Sequence, residues 1–253
     1  MSLETRDQAY MDRTEVEAAI GYAEIAAAYD IPVTLFVTGK AAVEEPEMVQ
    51  KLASMDNVEI GGHNYYAFDT LVHKAWRGLT GSWNGPRQFQ SWEIRKTIET
   101  FAQLGVKITT WRDHAYRHDA NTASLLTKHG ITHFSDTVGP DECVRKESGV
   151  TIVPVNTPPD HEHIYHAFRT PEFVANDSFS GPFGEESYEP STWCRKVLIS
   201  LEELATSGRE ATVLAHPACM LLADSFTIFE QLCEHLRLDG HESSFLSDIE
   251  PTI

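Results

Sequence analysis

The sequence predicts a parallel α/β fold, and three observations carry that expectation. Short apolar or β-branched runs alternate with amphipathic stretches of helical length. The connections between most of them are only a few residues long. The rhythm recurs about six or seven times within 253 residues, which favours a barrel of about seven parallel strands over a small open sheet. We therefore expect one domain spanning residues 1–253.

In chain order, Thr14 and Glu17 form a capping box that opens an amphipathic helix reaching about Tyr29. The run Ile31 to Val37 is apolar throughout and stops at Thr38-Gly39, the mark of a strand buried on both faces. A helix over Glu45 to Met55 carries Pro46 in its first turn. A short strand, Val58 to Ile60, then runs into Gly61-Gly62-His63. The helix Ser91 to Leu104 is closed by Gly105, and the strand Val106 to Trp111 follows. The helix Asp119 to His129 stops at Gly130 before the strand Ile131 to Phe134, and Thr151 to Val155 reads as a further strand. The helix Thr192 to Ser207, the strand Ala211 to Ala215 and a helix over Ser225 to Leu238 complete the pattern. Two long stretches interrupt it, 65–90 and 156–190. Both are rich in aromatics and histidines and both follow strand ends, where such folds place ligands, so ordered lids are expected there.

Composition narrows the function. With 42% hydrophobic residues the chain can build a core, and disorder is excluded. Its 38 acidic against 20 basic side chains, a formal charge of -18, argue against nucleic acid and anionic membranes as partners. The expected partner is a small-molecule or carbohydrate substrate. The basic residues are 8 Lys and 12 Arg, a Lys-poor balance that suits a salt-rich host or an ordinary acidic cytoplasmic protein. No CxxC pair, signal-peptide core or long apolar span is present, so a cytoplasmic location is expected.

Three strand ends carry polar groups in equivalent places: His63-Asn64-Tyr65, Arg112-Asp113-His114-Ala115-Tyr116, and His216-Pro217. On one barrel rim these would supply the imidazoles of His63 and His216 and the Arg112 guanidinium with a carboxylate beside it, an acid/base set able to polarise a carbonyl. Tyr65, Trp76, Asp113 and Tyr116 are the candidate substrate contacts. A separate cluster, Asp160-His161-Glu162-His163-Ile164-Tyr165-His166, gathers three imidazoles and two carboxylates in seven residues. If extended, it would place His161 and His163 on one face, with His166 closing a weak metal site.

The segments IPVTLFVTGKA, EIGGHNYYAF, WRDHAYRHDANTASLLTKHGITHFSD and VLAHP, in this order and spacing, resemble the polysaccharide deacetylases of carbohydrate esterase family 4, the NodB-homology domain. The resemblance extends from about Met1 to Pro217. It implies a distorted (β/α) barrel with a short first strand at Ser2 to Glu4. It also implies hydrolysis of N-acetyl or other carbon–nitrogen bonds, with a divalent metal held by one Asp and two His. Matched position by position, Glu4 replaces the first Asp as general base, while Thr5 stands at the metal-binding Asp. His63 keeps the first imidazole ligand, but Ala67 occupies the second. Arg112 is retained without the usual Pro, and His216 falls at the general-acid position. With two of three ligands replaced, a single imidazole at His63 does not hold zinc usefully. The resemblance also covers a metal-independent branch of amidohydrolases. The expectation is therefore a carbon–nitrogen hydrolase without a required cofactor. Glu4 would activate water, His216 would protonate the leaving nitrogen, and Arg112 and His63 would orient the substrate. A metal-dependent sugar deacetylase using zinc on His63, His161, His163 or His166, and an inactive carbohydrate-binding domain, are the alternatives. A homo-oligomer is allowed by the bare seam that a short first strand would leave.

Overall fold

Thr14 fixes the start of the first helix through the reciprocal bonds its sequence suggests. Its hydroxyl accepts from the Glu17 amide at 3.1 Å, and the Glu17 carboxylate accepts from the Thr14 amide at 2.8 Å. The helix that follows is α1 (Glu15–Ala28). The computed structural model describes residues 7–251; Glu4, Thr5 and the expected first strand lie outside the described residues.

Beyond α1 the order is β1 (Val33–Val37), α2 (Gly39–Glu44), α3 (Pro46–Ala53), β2 (Val58–Gly62), α4 (Leu71–Thr80), α5 (Arg87–Gln103), β3 (Thr110–Trp111), α6 (Thr122–Lys128) and β4 (His133–Phe134). Then come β5 (Arg145–Glu147), β6 (Val150–Ile152), α7 (Asp160–His163), α8 (Pro171–Ala175), α9 (Pro190–Thr206), α10 (Pro217–Asp224) and α11 (Thr227–Leu238). The sheet order is β1-β2-β3-β4-β6-β5, parallel throughout except for the β5–β6 hairpin. The parallel α/β class is as expected. Among the described residues, five strands run parallel and the sixth is antiparallel.

The register aligns the strand ends into one rim. Gly62 pairs with Trp111, Trp111 with Phe134, and Phe134 with Ile152. The residues just after them, His63, Arg112 and Ser135, therefore stand side by side where such folds carry their sites. Gly62 is required by close approach, because a Cβ there would meet the Trp111 ring at 2.3 Å. Trp111 is fully buried at the centre of a core that also takes Ile60, Phe134, Phe101 and Trp193.

The expected strand over 211–215 takes its place without forming a ladder. It lies along 156–160 and is fastened mainly by side chains. Asn156 donates to the Glu210 carbonyl at 2.8 Å and accepts from the Thr212 amide at 2.9 Å, and Thr157 donates to the Thr212 carbonyl at 2.8 Å. The reason is local: Pro158 and Pro159 have no N–H to offer a neighbouring strand.

The two long stretches are ordered. Segment 65–90 contains α4. Segment 156–190 folds back on itself, with the Tyr188 amide donating to His163 and the Tyr165 amide to Tyr188, both at 2.9 Å. Arg169 is buried there and donates to the Glu162 carbonyl and the Ser187 hydroxyl. Among the described residues, no helix is long and apolar enough to cross a membrane.

Candidate active site

At the ends of β2 and β3 the polar groups are fastened to one another. His63 Nδ1 faces the Arg112 carbonyl at 2.9 Å, and because a carbonyl only accepts, that nitrogen carries the proton. His63 Nε2 is then the acceptor for His114 Nδ1 at 3.2 Å. Burial, with the neighbouring His114 adding to it, holds His63 well below the ordinary histidine range. Burial, with the charges of His216 and His161, pulls His114 down to about 4. Both rings are therefore neutral at pH 7.

Arg112 is buried and directed away from a clamping role. Its Nε donates to the Ser135 carbonyl and one Nη to the Ser135 hydroxyl, each at 2.6 Å, and its guanidinium lies 4.6 Å from the Phe36 ring centroid. Asp113 is likewise committed. One carboxylate oxygen accepts from Asn64 at 2.8 Å and from the Trp111 indole at 2.9 Å. Burial, reinforced by the neighbouring Asp136 charge, raises Asp113 to about 7. Asp136 accepts from the Asp113 amide at 3.0 Å and pairs with His118 at 2.6 Å, which pins the turn after β3.

Across the cleft, α7 begins with Asp160, which is fully buried. Its two oxygens accept from the His216 amide and from His216 Nδ1, both at 2.6 Å. The His216 side chain is 43% exposed, so the free Nε2 edge faces the opening. Burial opposes a charge on this ring, but the charge and hydrogen bond of Asp160 outweigh it and lift His216 to about 9. His216 is therefore an imidazolium with its remaining N–H available as a donor.

Around this pair lie groups whose polar atoms are not internally satisfied. The Tyr116 hydroxyl and Glu162 Oε2 are buried without a hydrogen-bond partner among the described residues. Burial, with the Glu162 charge nearby, raises the Tyr116 phenol well above its ordinary range, so it remains a donor. Ala115 and Tyr116 both adopt positive φ, 51° and 55°, a left-handed conformation uncommon outside glycine. The His161 ring stands 5.6 Å from that of His216 and 5.5 Å from that of His166.

The structure thus brings His63, His114, His161, His166 and His216 to one rim, with Tyr116 among them, and it corrects several expectations. Arg112 and Asp113 form the frame of the rim. Tyr65 is buried and packs on α5, with the Lys96 ammonium 3.8 Å from its ring centroid and Trp92 beside it. Trp76 sits half-buried on α4. His163 is removed from any shared metal site. Its segment is the helix α7, in which residues two apart lie about 200° around the axis, whereas an extended chain would put them on one face. His163 Nδ1 instead faces the Glu186 carbonyl at 2.8 Å, among Phe179 and Phe183. His63 is engaged at both ring nitrogens and joins none of the metal-capable groupings among the described residues.

Asp160 as the partner of His216, and Asp7 beside His161, are the residues that sequence reading missed. The signal for Asp160 was its position straight after Pro158-Pro159 at a strand end. Asp7 lies two residues beyond Thr5, where the metal-binding Asp was sought.

Residues 11–134 match the sequence model of the polysaccharide deacetylase family. No curated protein matches the chain. A protein of Mycobacterium smegmatis described as a polysaccharide deacetylase superposes with a TM-score of 0.64 at 19% identity, covering 98% of this chain and 85% of that one. A family 4 carbohydrate esterase of Streptomyces lividans, solved with acetate, gives 0.54 at 13% identity over 92% of this chain and 87% of the other. A family 4 pseudoenzyme of Bacillus anthracis gives 0.55 at 14% identity, with 93% of this chain covering 61% of that longer one. Identities this low speak for the fold alone, and the matched segment carries β1 to β4 with His63, Arg112 and Tyr116 between them. Residues 11–134 thus carry the sequence pattern of the polysaccharide deacetylase family, and the chain has the NodB-homology fold seen in carbohydrate esterase family 4.

Proposed function

We propose that this chain hydrolyses a non-peptide carbon–nitrogen bond, that of a small amide or an N-acylated sugar, with His216 as general acid. The observation that carries this reading is the Asp160–His216 pair at 2.6 Å, a half-exposed imidazole held and charged by a fully buried carboxylate. In the step, the oxygen of water bonds to the carbonyl carbon and the carbon–nitrogen bond breaks. The leaving nitrogen takes a proton from His216 Nε2, and the products are a carboxylic acid and an amine. Glu4 is our proposed acceptor of the water's proton. The Tyr116 hydroxyl, protonated and without a partner among the described residues, supports a role as donor to the substrate oxygen. This role was expected of Arg112, which is instead occupied by Ser135.

The family's usual metal position is not matched by the residues present, since Thr5 and Ala67 replace two ligands and both nitrogens of His63 are engaged. No step of this reading runs through a metal there. A second reading, an inactive carbohydrate-binding domain, is favoured by the similarity to the Bacillus anthracis pseudoenzyme. The test is release of acetate or amine from N-acetylated sugars and a panel of small amides. His216→Gln is expected to lower kcat/KM by roughly 10²–10⁴, the usual scale for general acid–base catalysis, and to lower Tm as well, so rates are compared on protein shown to be folded by circular dichroism. Equal rates in the two proteins would sink the assignment. Glycan binding without turnover in either would favour the binding domain.

A further inference from the structure

We infer that Asp7, His161 and His166 form a divalent-metal site, with zinc as the ion their donor chemistry suits best. Two neutral imidazole nitrogens and one carboxylate oxygen, leaving a coordination position open, are a donor set characteristic of catalytic zinc. None of these residues is among the ligands that the family resemblance points to at Thr5, His63 and Ala67.

The first support is an unsatisfied buried charge. Asp7 is 3% exposed, and its Oδ1 has no hydrogen-bond partner among the described residues. Its near polar neighbours are His166 Nε2 at 3.4 Å and His161 Nε2 at 3.7 Å, both beyond ordinary hydrogen-bond length. A carboxylate taken from water calls for a cation or close donors.

The second support is the direction of the lone pairs. His166 Nδ1 lies 2.9 Å from the Ile164 carbonyl, which can only accept, so Nδ1 carries the ring's proton. In the neutral ring, Nε2 therefore turns a bare lone pair toward the Asp7 carboxylate. Two acceptors facing each other repel unless a positive centre sits between them. The Cys219 thiol, 3.6 Å from His166 Nε2, offers that nitrogen only a weak S–H donor and leaves Asp7 unsatisfied. The backbone bond to Nδ1 is also the outer-partner arrangement that orients metal-ligating histidines.

The third support is spacing. Ligand bonds of about 2.0–2.1 Å in a tetrahedron put donor atoms about 3.3–3.4 Å apart. Here His166 Nε2 lies 3.4 Å from Asp7 Oδ1 and His161 Nε2 3.7 Å from Asp7 Oδ2, and one ligand atom from each of the three residues lies within 4.8 Å of the others. The Phe168 ring packs 6.1 Å from the His161 ring and 5.5 Å from the His166 ring, walling one side. The His216 ring lies 5.6 Å from that of His161, so the site borders the proposed acid.

The inference does not depend on the hydrolase reading, and its test does not use turnover. The full chain, stripped with chelator and dialysed, is titrated with zinc sulfate by calorimetry. It is then loaded with cobalt(II), whose visible absorption reports tetrahedral nitrogen and oxygen ligands. We expect about one ion per chain, a visible cobalt band, and a rise in Tm with zinc. Asp7→Asn and His161→Gln should each weaken binding by more than the roughly 10–100-fold that loss of an outer partner costs. His63→Gln should keep full stoichiometry. His161, 39% exposed on its side chain, is the variant least prone to misfold. Absence of zinc uptake by the wild-type chain, or unchanged uptake in both ligand variants, would overturn the site. A metal loss confined to His63→Gln would move it to the family position. His216→Gln should bind zinc normally, so failure of the acid assignment and failure of the metal site are separable.

Discussion

At the ends of β2 and β3, His63, Asn64, Arg112 and Asp113 pair with each other or with Trp111, His114 and Ser135. Facing them, Asp7 and Glu162 each keep a buried oxygen without a hydrogen-bond partner among the described residues, and His216 carries a charge fixed by Asp160. The first side has its histidines neutral and its guanidinium turned inward; the second holds an imidazolium and unfilled acceptors. Satisfied groups stabilise geometry, whereas unfilled ones stabilise whatever arrives to fill them. The strand ends therefore frame the cleft, and the chemistry we propose lies on the 156–166 segment with His216.

Removing Asp160 should have the largest effect. Asp160→Ala deletes the acceptor of both the His216 amide and its ring. It is expected to lower kcat/KM on the responsive substrate by roughly 10²–10⁴. Denaturant unfolding should show a loss of about 1–3 kcal/mol, moderated because the half-exposed imidazole regains water. If activity survives, the division between the two sides fails.

On the framing side, Asp113 should reveal itself through stability instead of rate. Its pKa rises from 3.8 to about 7 on folding, so between those values the folded chain binds more protons than the unfolded one. Its contribution is then most favourable below about pH 4 and is lost as pH rises to about 7, by as much as ~4 kcal/mol. Asp113→Asn removes that dependence and should be the more stable protein at pH 8. Its unfolding free energy, subtracted from that of the wild type across pH 3–8, should give this curve. A flat difference would mean that Asp113 is solvated and could face substrate.

The smallest effect is expected at Tyr65. Tyr65→Phe keeps the ring under Lys96, so KM should stay within about twofold and stability within about 0.5 kcal/mol. A several-fold rise in KM would return Tyr65 to the substrate side.

Local signals were the readable ones. The capping box at Thr14 and the strand run of β1 are each written within a few residues and form as expected, while β2 runs two residues past the expected end, to Gly62. The convergence of three strand ends was readable too, since a parallel sheet brings equivalent positions together. Pairings made by the tertiary path were not. Asp160 and His216 are 56 residues apart, and they meet because the Pro158-Pro159 segment lies along 210–214. Tyr65 followed a strand end as a substrate contact would, but it packs against Lys96 and Trp92 of α5. His163 was misplaced by assuming an extended chain where α7 forms.

The clasp of Asn156 and Thr157 on 210–212 gives the cleft an uneven rigidity. The β1–β2 pair is locked by five successive backbone partners, whereas the segment leading to His216 is held chiefly by side chains. Amide hydrogens over 213–215 therefore exchange with solvent sooner than those of β1, and their opening does not require the sheet to unfold. The proposed proton donor, His216, thus follows a segment held more by side chains than by a backbone ladder.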